Sequence, residues 1–258
     1  MIILNETDFD NVINLIEGNV ETVPTFSYSV LNHYINGFVY ADSKIPETVL
    51  IGIESGIYFV TGKEDNQEFN DFLFELYCQR KSEKLRFTLF SSNENWDRVI
   101  NERFKDCIKQ MSRYSFVYGN KQKTPDKNQF SGDYLIRRLN EELITNCSEF
   151  NADYYKEYWG SVSNFMEKSF GFCILHKGKV VSECTSIFSS LKFSEIDITT
   201  NEDYRGQGLA SIIAKTFIDH CLENNITPRW DCDIINKSSI KLAEKLGFGN
   251  PMKYSIFV

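Results

Sequence analysis

Polar and apolar positions change rhythm several times along this chain, and each rhythm predicts an element. In the second half, residues 134–139 predict a short strand, and helical spacing follows over 141–149 and 162–168. Residues 172–175 and 180–188 are rich in apolar and β-branched side chains and flank the tight turn Lys177-Gly178-Lys179, which is the signature of a hairpin. Residues 195–200 alternate polar and apolar with the period of a strand that buries one face. A polar, glycine-bearing stretch, 201–208, comes next. Leu209, Ile212, Ile213, Thr216, Phe217, His220 and Cys221 then recur at helical spacing, with Lys215, Asp219 and Glu223 off the stripe, and predict a helix over 209–223. Residues 228–233 predict a further strand, with Pro228 at its first position, where a missing N–H is tolerated. A short helix starts at Ser238/Ser239, runs to Leu246 and stops at Gly247, and residues 254–258 close as a strand.

The first half repeats this order more faintly. Strands are expected at 48–53, 56–61, 85–90 and 115–118, with helices at 70–79 and 96–104. The segment 57–104 overlays 195–248 as strand, loop, helix, strand, helix, but Gly62-Lys-Glu-Asp-Asn-Gln stands where the later copy has its glycine-rich turn. The first half then reads either as a degenerate copy of the second or as a chance likeness of two α/β segments. Between them, residues 119–132 are polar, begin and end with glycine and carry Pro125, a composition that no buried element tolerates. The expected layout is an α/β domain over 1–120, a linker over 121–132 and a second α/β domain with a mixed sheet (α+β) over 133–258.

The 258 residues carry 42% hydrophobic and 25% charged side chains, values that exclude a disordered or fibrous chain. The net charge of −8 argues against a sequence-independent nucleic-acid binder, which needs a basic footprint. Seven cysteines without a C-x-x-C pair, beside three histidines, make a disulfide framework and a zinc site poor readings. The start lacks a basic, then apolar leader, and no run approaches the roughly 18–20 apolar residues of a spanning helix. A cytoplasmic protein with no metal and no membrane partner is expected.

Arg205-Gly206-Gln207-Gly208-Leu209-Ala210 is by itself the common glycine turn before a helix, with a structural role, and its position at the helix mouth gives it a chemical one. Two glycines at the mouth of a helix let backbone N–H groups converge without Cβ obstruction, and the positive end of the helix dipole lies behind them. That is an anion site suited to a pyrophosphate, to which Arg205 can add a charge-assisted contact. Neither phosphate-loop alternative fits: Leu209-Ala210 stand where a Walker loop needs Lys-Ser/Thr, and Ser211 stands where a dinucleotide fingerprint needs glycine.

With strand 195–200, loop 204–210, strand 230–233 and the run from Asn236 to Leu246-Gly247-Phe248, the sequence resembles the GNAT superfamily of acetyl-CoA-dependent N-acetyltransferases. The two-part layout is also similar to a GNAT subgroup that includes zwittermicin-type resistance acetyltransferases. The resemblance implies a C-terminal GNAT fold in which Ile198, Thr199 and Thr200 pair with the pantetheine arm of acetyl-CoA. It places the pyrophosphate on Arg205, Gly206, Gln207, Gly208, Leu209, Ala210 and Ser211, and sets Asn236 with Ser238 or Ser239 against the cofactor arm. It further implies direct attack of a small-molecule amine on the thioester, so that Cys232 is core and not a nucleophile.

A protonated amine cannot attack, so a base or water relay is required. Glu195 and Asp197, two apart on one strand, share a face and are the candidates, with solvation or binding of a cationic substrate as the alternative role. Asp231 and Asp233 rank second. Ala243 stands where many family members place a tyrosine that protonates the leaving thiolate; Tyr254 or water would have to replace it. The aromatic group Trp159, Phe165, Phe170 and Phe172 reads as core, and His176 and His220 read as structural. The competing function is a catalytically weak acyl-CoA-binding or regulatory module.

Overall fold

The computed structural model describes residues 1–19, 22–119 and 133–258. The expected linker at 121–132 lies outside the described residues. The strands are β1 Ile2–Ile3, β2 Phe38–Ala41, β3 Thr48–Gly52, β4 Ile57–Gly62, β5 Thr88–Ser91, β6 Gln110–Tyr118, β7 Tyr134–Arg138, β8 Gly171–His176, β9 Lys179–Ser189, β10 Phe193–Thr200, β11 Thr227–Asp233 and β12 Phe248–Phe257. The α-helices are α1 Phe9–Ile16, α2 Thr25–Leu31, α3 Gln67–Ser82, α4 Glu94–Phe104, α5 Glu141–Ile144, α6 Ala152–Trp159, α7 Val162–Lys168, α8 Leu209–Glu223 and α9 Lys237–Lys245.

The chain forms two compact units, one of Met1–Ser115 with Met252–Val258 and one of Phe116–Pro251. The second unit therefore ends before Val258, where the sequence places its end. The reason is strand pairing: Ile256 and Phe257 in β12 pair antiparallel with Phe90 and Leu89 in β5, so the chain terminus completes the first unit.

In the first unit β2, β3 and β4 form an antiparallel run, α3 crosses over, and β5 lies parallel to β4. Its core gathers Tyr58, Phe69, Leu73, Tyr77, Trp96, Ile100 and Phe104. Helices α3 and α4 start at Asn66 and Asn93, whose side chains accept first-turn N–H groups. Strands β1 and β2 and helices α1 and α2 are additions to the predicted elements. Helix α2 has no polar face to betray it, because all seven of its residues are buried.

In the second unit β7, β8, β9 and β10 form an antiparallel run, α8 crosses over, and β11 lies parallel to β10. The strand order β7-β8-β9-β10-β11 matches β1-β2-β3-β4-β5, so the expected repeat of order is present in the topology. The turn at Lys177 and Gly178 has positive φ at both residues, the geometry that closes two-residue hairpins. Helix α8 buries Leu209, Ile213, Ala214, Phe217, Ile218 and Cys221 on the sheet. Helices α6 and α7 contribute Tyr155, Trp159 and Phe165, with the Trp159 indole donating to the Ser186 carbonyl at 3.2 Å. Trp159, Phe165 and Phe170 are buried as expected of core residues.

Phe217 is 0% exposed and packs with its ring tilted against Phe170 at a centroid distance of 4.6 Å, so it anchors α8 on the sheet. Phe217→Ala is predicted to cost about 3–5 kcal/mol in urea unfolding, and a loss below about 1 kcal/mol would contradict this role for Phe217.

Candidate active site

The site begins where β10 and β11 part. Their parallel register covers Phe193↔Thr227, Ser194↔Pro228 and Glu195↔Arg229. Beyond Glu195 β10 runs on to Thr200, and beyond Arg229 β11 runs on to Asp233, with no pairing between them in that register. On its other edge β10 stays paired with β9 as far as Thr200↔Ser182. One step of the register, between Glu195 and Ile196, skips a residue of β9, so the bulge belongs to Ile187 and the alternation along β10 continues.

Glu195 is thus the last residue of β10 opposite β11, beside Arg229, whose guanidinium lies 3.8 Å from the centroid of the Phe193 ring. Asp197 is the first acidic residue beyond the parting. Its Oδ2 accepts the phenol of Tyr154 at 2.9 Å, and its Oδ1 accepts the N–H of Ile198 at 2.9 Å. Tyr154 on α6 lies among Phe150, Tyr155 and Tyr158, and its ionisation is pushed well above the ordinary phenol value, first by burial and then by the Asp197 charge. Of the second-rank carboxylates, Asp233 is occupied in the turn before α9, where its Oδ1 accepts from Ile235 N–H at 3.0 Å.

The loop after β10 forms the second wall. Gly206 and Gly208 have φ of +78° and +81°, and a Cβ at either would meet nothing within 4 Å. Their role is therefore backbone conformation in front of open space, and not close packing. Gly208 is the N-cap of α8 and supplies no side-chain cap. By contrast α3, α4, α6 and α9 each begin at an asparagine whose side chain accepts first-turn N–H groups. The first-turn N–H groups of α8, from Leu209, Ala210 and Ser211, receive no side-chain cap from Gly208. Lys245, from the last turn of α9, reaches Ser211 Oγ at 3.1 Å and adds a cation at this helix mouth. Arg205 turns back toward the strand, donating through Nε to the Thr200 carbonyl at 3.2 Å and lying 3.3 Å from Glu202.

A brace holds this loop. Gln207 accepts the phenol of Tyr134 at 2.9 Å, Tyr134 stacks on His176, and His176 Nδ1 lies 3.1 Å from the Tyr204 hydroxyl. His176 is structural, as the sequence suggests, but its partners lie 42 and 28 residues away and are invisible locally. The residues expected on the cofactor arm also serve α9. Asn236 Oδ1 caps it at Ser239 N–H and accepts from the Ser238 hydroxyl, and Ser239 Oγ accepts the Trp230 indole at 2.9 Å. Cys232 is buried among core residues. Ala243 is fully buried, and Tyr254 belongs to the first unit, where its hydroxyl bonds to Arg113 Nε at 3.0 Å.

Sequence reading passed over Tyr154, Lys245 and Glu183. Glu183 sits on β9 opposite Thr199 and is 2% exposed, with its carboxylate receiving Phe150 N–H at 3.4 Å. The signal available was a single charged residue within the run 180–189. Burial raises its pKa above the ordinary carboxylate range, and the hydrogen bonds from Cys147, Phe150 and Ser148 only partly offset this.

Among the described residues no helix is long and apolar enough to cross a membrane, and no group of three or more His, Cys, Asp or Glu residues could hold a metal ion. A mixed sheet parted beside a glycine-mouthed helix is the fold that the GNAT resemblance implies. The family profile described as GNAT acetyltransferase matches residues 15–257, and the chain belongs to that family. It is 48% identical over 237 residues to YdfB of Bacillus subtilis (strain 168), an uncharacterized N-acetyltransferase, across 91% of this chain and 90% of that protein. A GCN5-related N-acetyltransferase-like protein from Streptococcus suis 89/1591 superposes with a TM-score of 0.75 at 26% identity, covering 97% of this chain and 98% of that one. A tandem GNAT protein from the clavulanic acid biosynthesis pathway shares the fold at 9% identity and a TM-score of 0.68, covering 100% and 97%.

Two predictions follow from the geometry. A Cβ at Gly206 or Gly208 meets nothing within 4 Å, so valine at either is expected to cost mainly left-handed backbone strain, about 2 kcal/mol for a β-branched side chain, and the variants are expected to remain folded by circular dichroism. An unfolded variant would contradict the open geometry. The second concerns pH. A folded-state pKa raised above the unfolded value makes Glu183 unfavourable to stability as pH rises above the ordinary carboxylate range, with the penalty complete above its folded-state value. Glu183→Gln, which never ionises, is therefore predicted to unfold at a higher temperature than the parent at neutral pH, with the difference vanishing in acid. Equal midpoints at both pH values would contradict the buried charge.

Proposed function

We propose that this protein transfers an acetyl group from acetyl-CoA to a primary amine of a small molecule. The observation that carries the proposal is the parting of β10 from β11 directly beside a helix mouth that has no side-chain cap. An acyl-CoA offers what both features lack: a linear arm with amides for an open strand edge, and a pyrophosphate for uncapped N–H groups. In this reading the strand 198–200 holds the arm, through the outward backbone groups of Ile198 and Thr200, with Thr199 between them paired to β9. The N–H groups of 209–211, the turn 206–208 and Lys245 hold the pyrophosphate. Arg205 orders the turn from the end of β10 through Thr200.

The bound thioester supplies an activated acyl group. Asp197 or Glu195 takes one proton from the ammonium form of the acceptor, which frees the nitrogen lone pair. The C–N bond then forms as the C–S bond breaks, and the second amine proton neutralises the departing thiolate. No cysteine nucleophile is needed, in keeping with the burial of Cys232.

The alternative is an acyl-CoA-binding module with slow chemistry. The buried Ala243 favours it, since it supplies no hydroxyl for the thiolate, and Tyr254 serves the first unit. Free-thiol release with a panel of amines separates the two readings. Steady release belongs to the enzyme, and tight CoA binding without release belongs to the module.

Calorimetric titration with CoA, with dephospho-CoA and NAD as comparators, tests the binding half. Micromolar affinity is expected for CoA, with loss of binding in the folded Gly206→Val/Gly208→Val double variant. Lys245→Ala is expected to weaken CoA binding by about 3- to 10-fold, the scale of one exposed charge at a helix terminus. Undiminished affinity in the double variant would overturn the loop assignment.

A further inference from the structure

The backbone of β10 presents its polar groups in strict alternation. Asn201 N–H bonds to the Val181 carbonyl across the edge shared with β9, so residues 201, 199 and 197 direct their backbone groups at β9. Ile198 and Thr200 direct theirs the other way, into the part of β10 that β11 has left. Buried or half-buried backbone groups seldom remain unpaired, and here the chain's own side chains serve them. Asp197 Oδ1 takes the Ile198 N–H, and Arg205 Nε donates to the Thr200 carbonyl. The same Asp197 is fixed at its other oxygen by Tyr154, 43 residues earlier on α6. Three aromatic neighbours pack against the Tyr154 ring, at centroid distances of 4.8, 5.3 and 4.9 Å from Phe150, Tyr155 and Tyr158. Its high ionisation range leaves it a hydrogen-bond donor throughout neutral pH.

We propose that Asp197, held by Tyr154, is a displaceable cap on the donor-binding edge of β10: it occupies the Ile198 N–H until the arm of the acyl donor takes that N–H, and is thereby freed to face the acceptor amine. Tyr154 is the positioning residue. It keeps Oδ2 in place, so that release of Oδ1 turns the carboxylate about a fixed point instead of letting it swing into solvent. The inference rests on the acetyl-CoA reading above and deepens it. It makes the residue that is to accept the proton a competitor of the donor for one backbone group, so that its availability depends on donor binding. A carboxylate that acts solely as a base, or solely as part of the fold, has no such competition.

The test uses the full chain and its Asp197→Ala and Tyr154→Phe variants, with CoA as the probe and two readouts. The first is CoA affinity by calorimetry. Removing the cap removes a competitor, so Asp197→Ala is expected to bind CoA about 3- to 10-fold more tightly than the parent, the range set by one charge-assisted hydrogen bond shared with solvent. Tyr154→Phe, which loosens the cap without deleting it, is expected to shift affinity in the same direction by less. The second readout is the Ile198 amide resonance. In the free protein it is expected to move upfield in Asp197→Ala and part of the way in Tyr154→Phe. With CoA bound, the three proteins are expected to give the same Ile198 position.

Equal or weaker CoA binding by a folded Asp197→Ala would overturn the proposal, as would an Ile198 resonance indifferent to both substitutions. If Asp197→Ala fails to fold, Tyr154→Phe carries both readouts and the same criteria. Failure of the parent itself to bind CoA would sink the acetyl-CoA reading and the displacement together, whereas CoA binding by the parent without the tightening sinks the cap alone.

Discussion

The parting of two parallel strands organises the second unit. Parallel neighbours in a sheet satisfy each other's backbone groups, so two strands that diverge leave a row of donors and acceptors to be met by something else. Here the divergence begins after Glu195 and Arg229. The far edge of β10 is secured by pairing with β9 through Thr200 while its near edge opens. The helix that crosses between β10 and β11 begins beside that opening, and Gly208 gives it a mouth without a cap. Open strand edge and open helix end are thus consequences of one connection, and a ligand bearing both an amide arm and a phosphate group answers both.

The charges around this connection are distributed rather than massed. The chain is acidic overall, with a net charge of −8, yet Arg205 and Lys245 stand at the helix mouth and carboxylates line the strand. Arg205 is engaged with Thr200 and Glu202, so the proposed anion site would rest on oriented N–H groups and Lys245 more than on the arginine of the motif. A second layer behind the loop, from Tyr134 through His176 to Tyr204, fixes its geometry before any ligand arrives. Such preorganisation reduces the ordering cost of binding.

Strong periodicity made the central elements legible. Helix α8 spans Leu209–Glu223 as its stripe predicts, and β10, β11 and the hairpin at Gly178 lie where alternation and turn chemistry put them. Helix α6 escaped, because its apolar positions are tyrosines and a tryptophan mixed with charged residues. Its brackets, the Asn151 cap and the left-handed Gly160, were nonetheless readable. Helix α2 escaped for the opposite reason, being buried all round. The site divided in the same way. The glycine turn is a local device and was visible locally. Tyr154 on Asp197, Lys245 on Ser211 and the return of β12 to β5 each join residues tens of positions apart, and no local pattern encodes them.

The central claim is that the open edge of β10 receives the acyl donor as an added strand. Amide hydrogen exchange, followed residue by residue with and without CoA, tests it most directly. The account predicts that slowing on CoA addition concentrates at Ile198 and Thr200 and at the first turn of α8, with residues 197 and 199, already paired with β9, changing little. Protection that appears elsewhere while Ile198 and Thr200 exchange as before would contradict it.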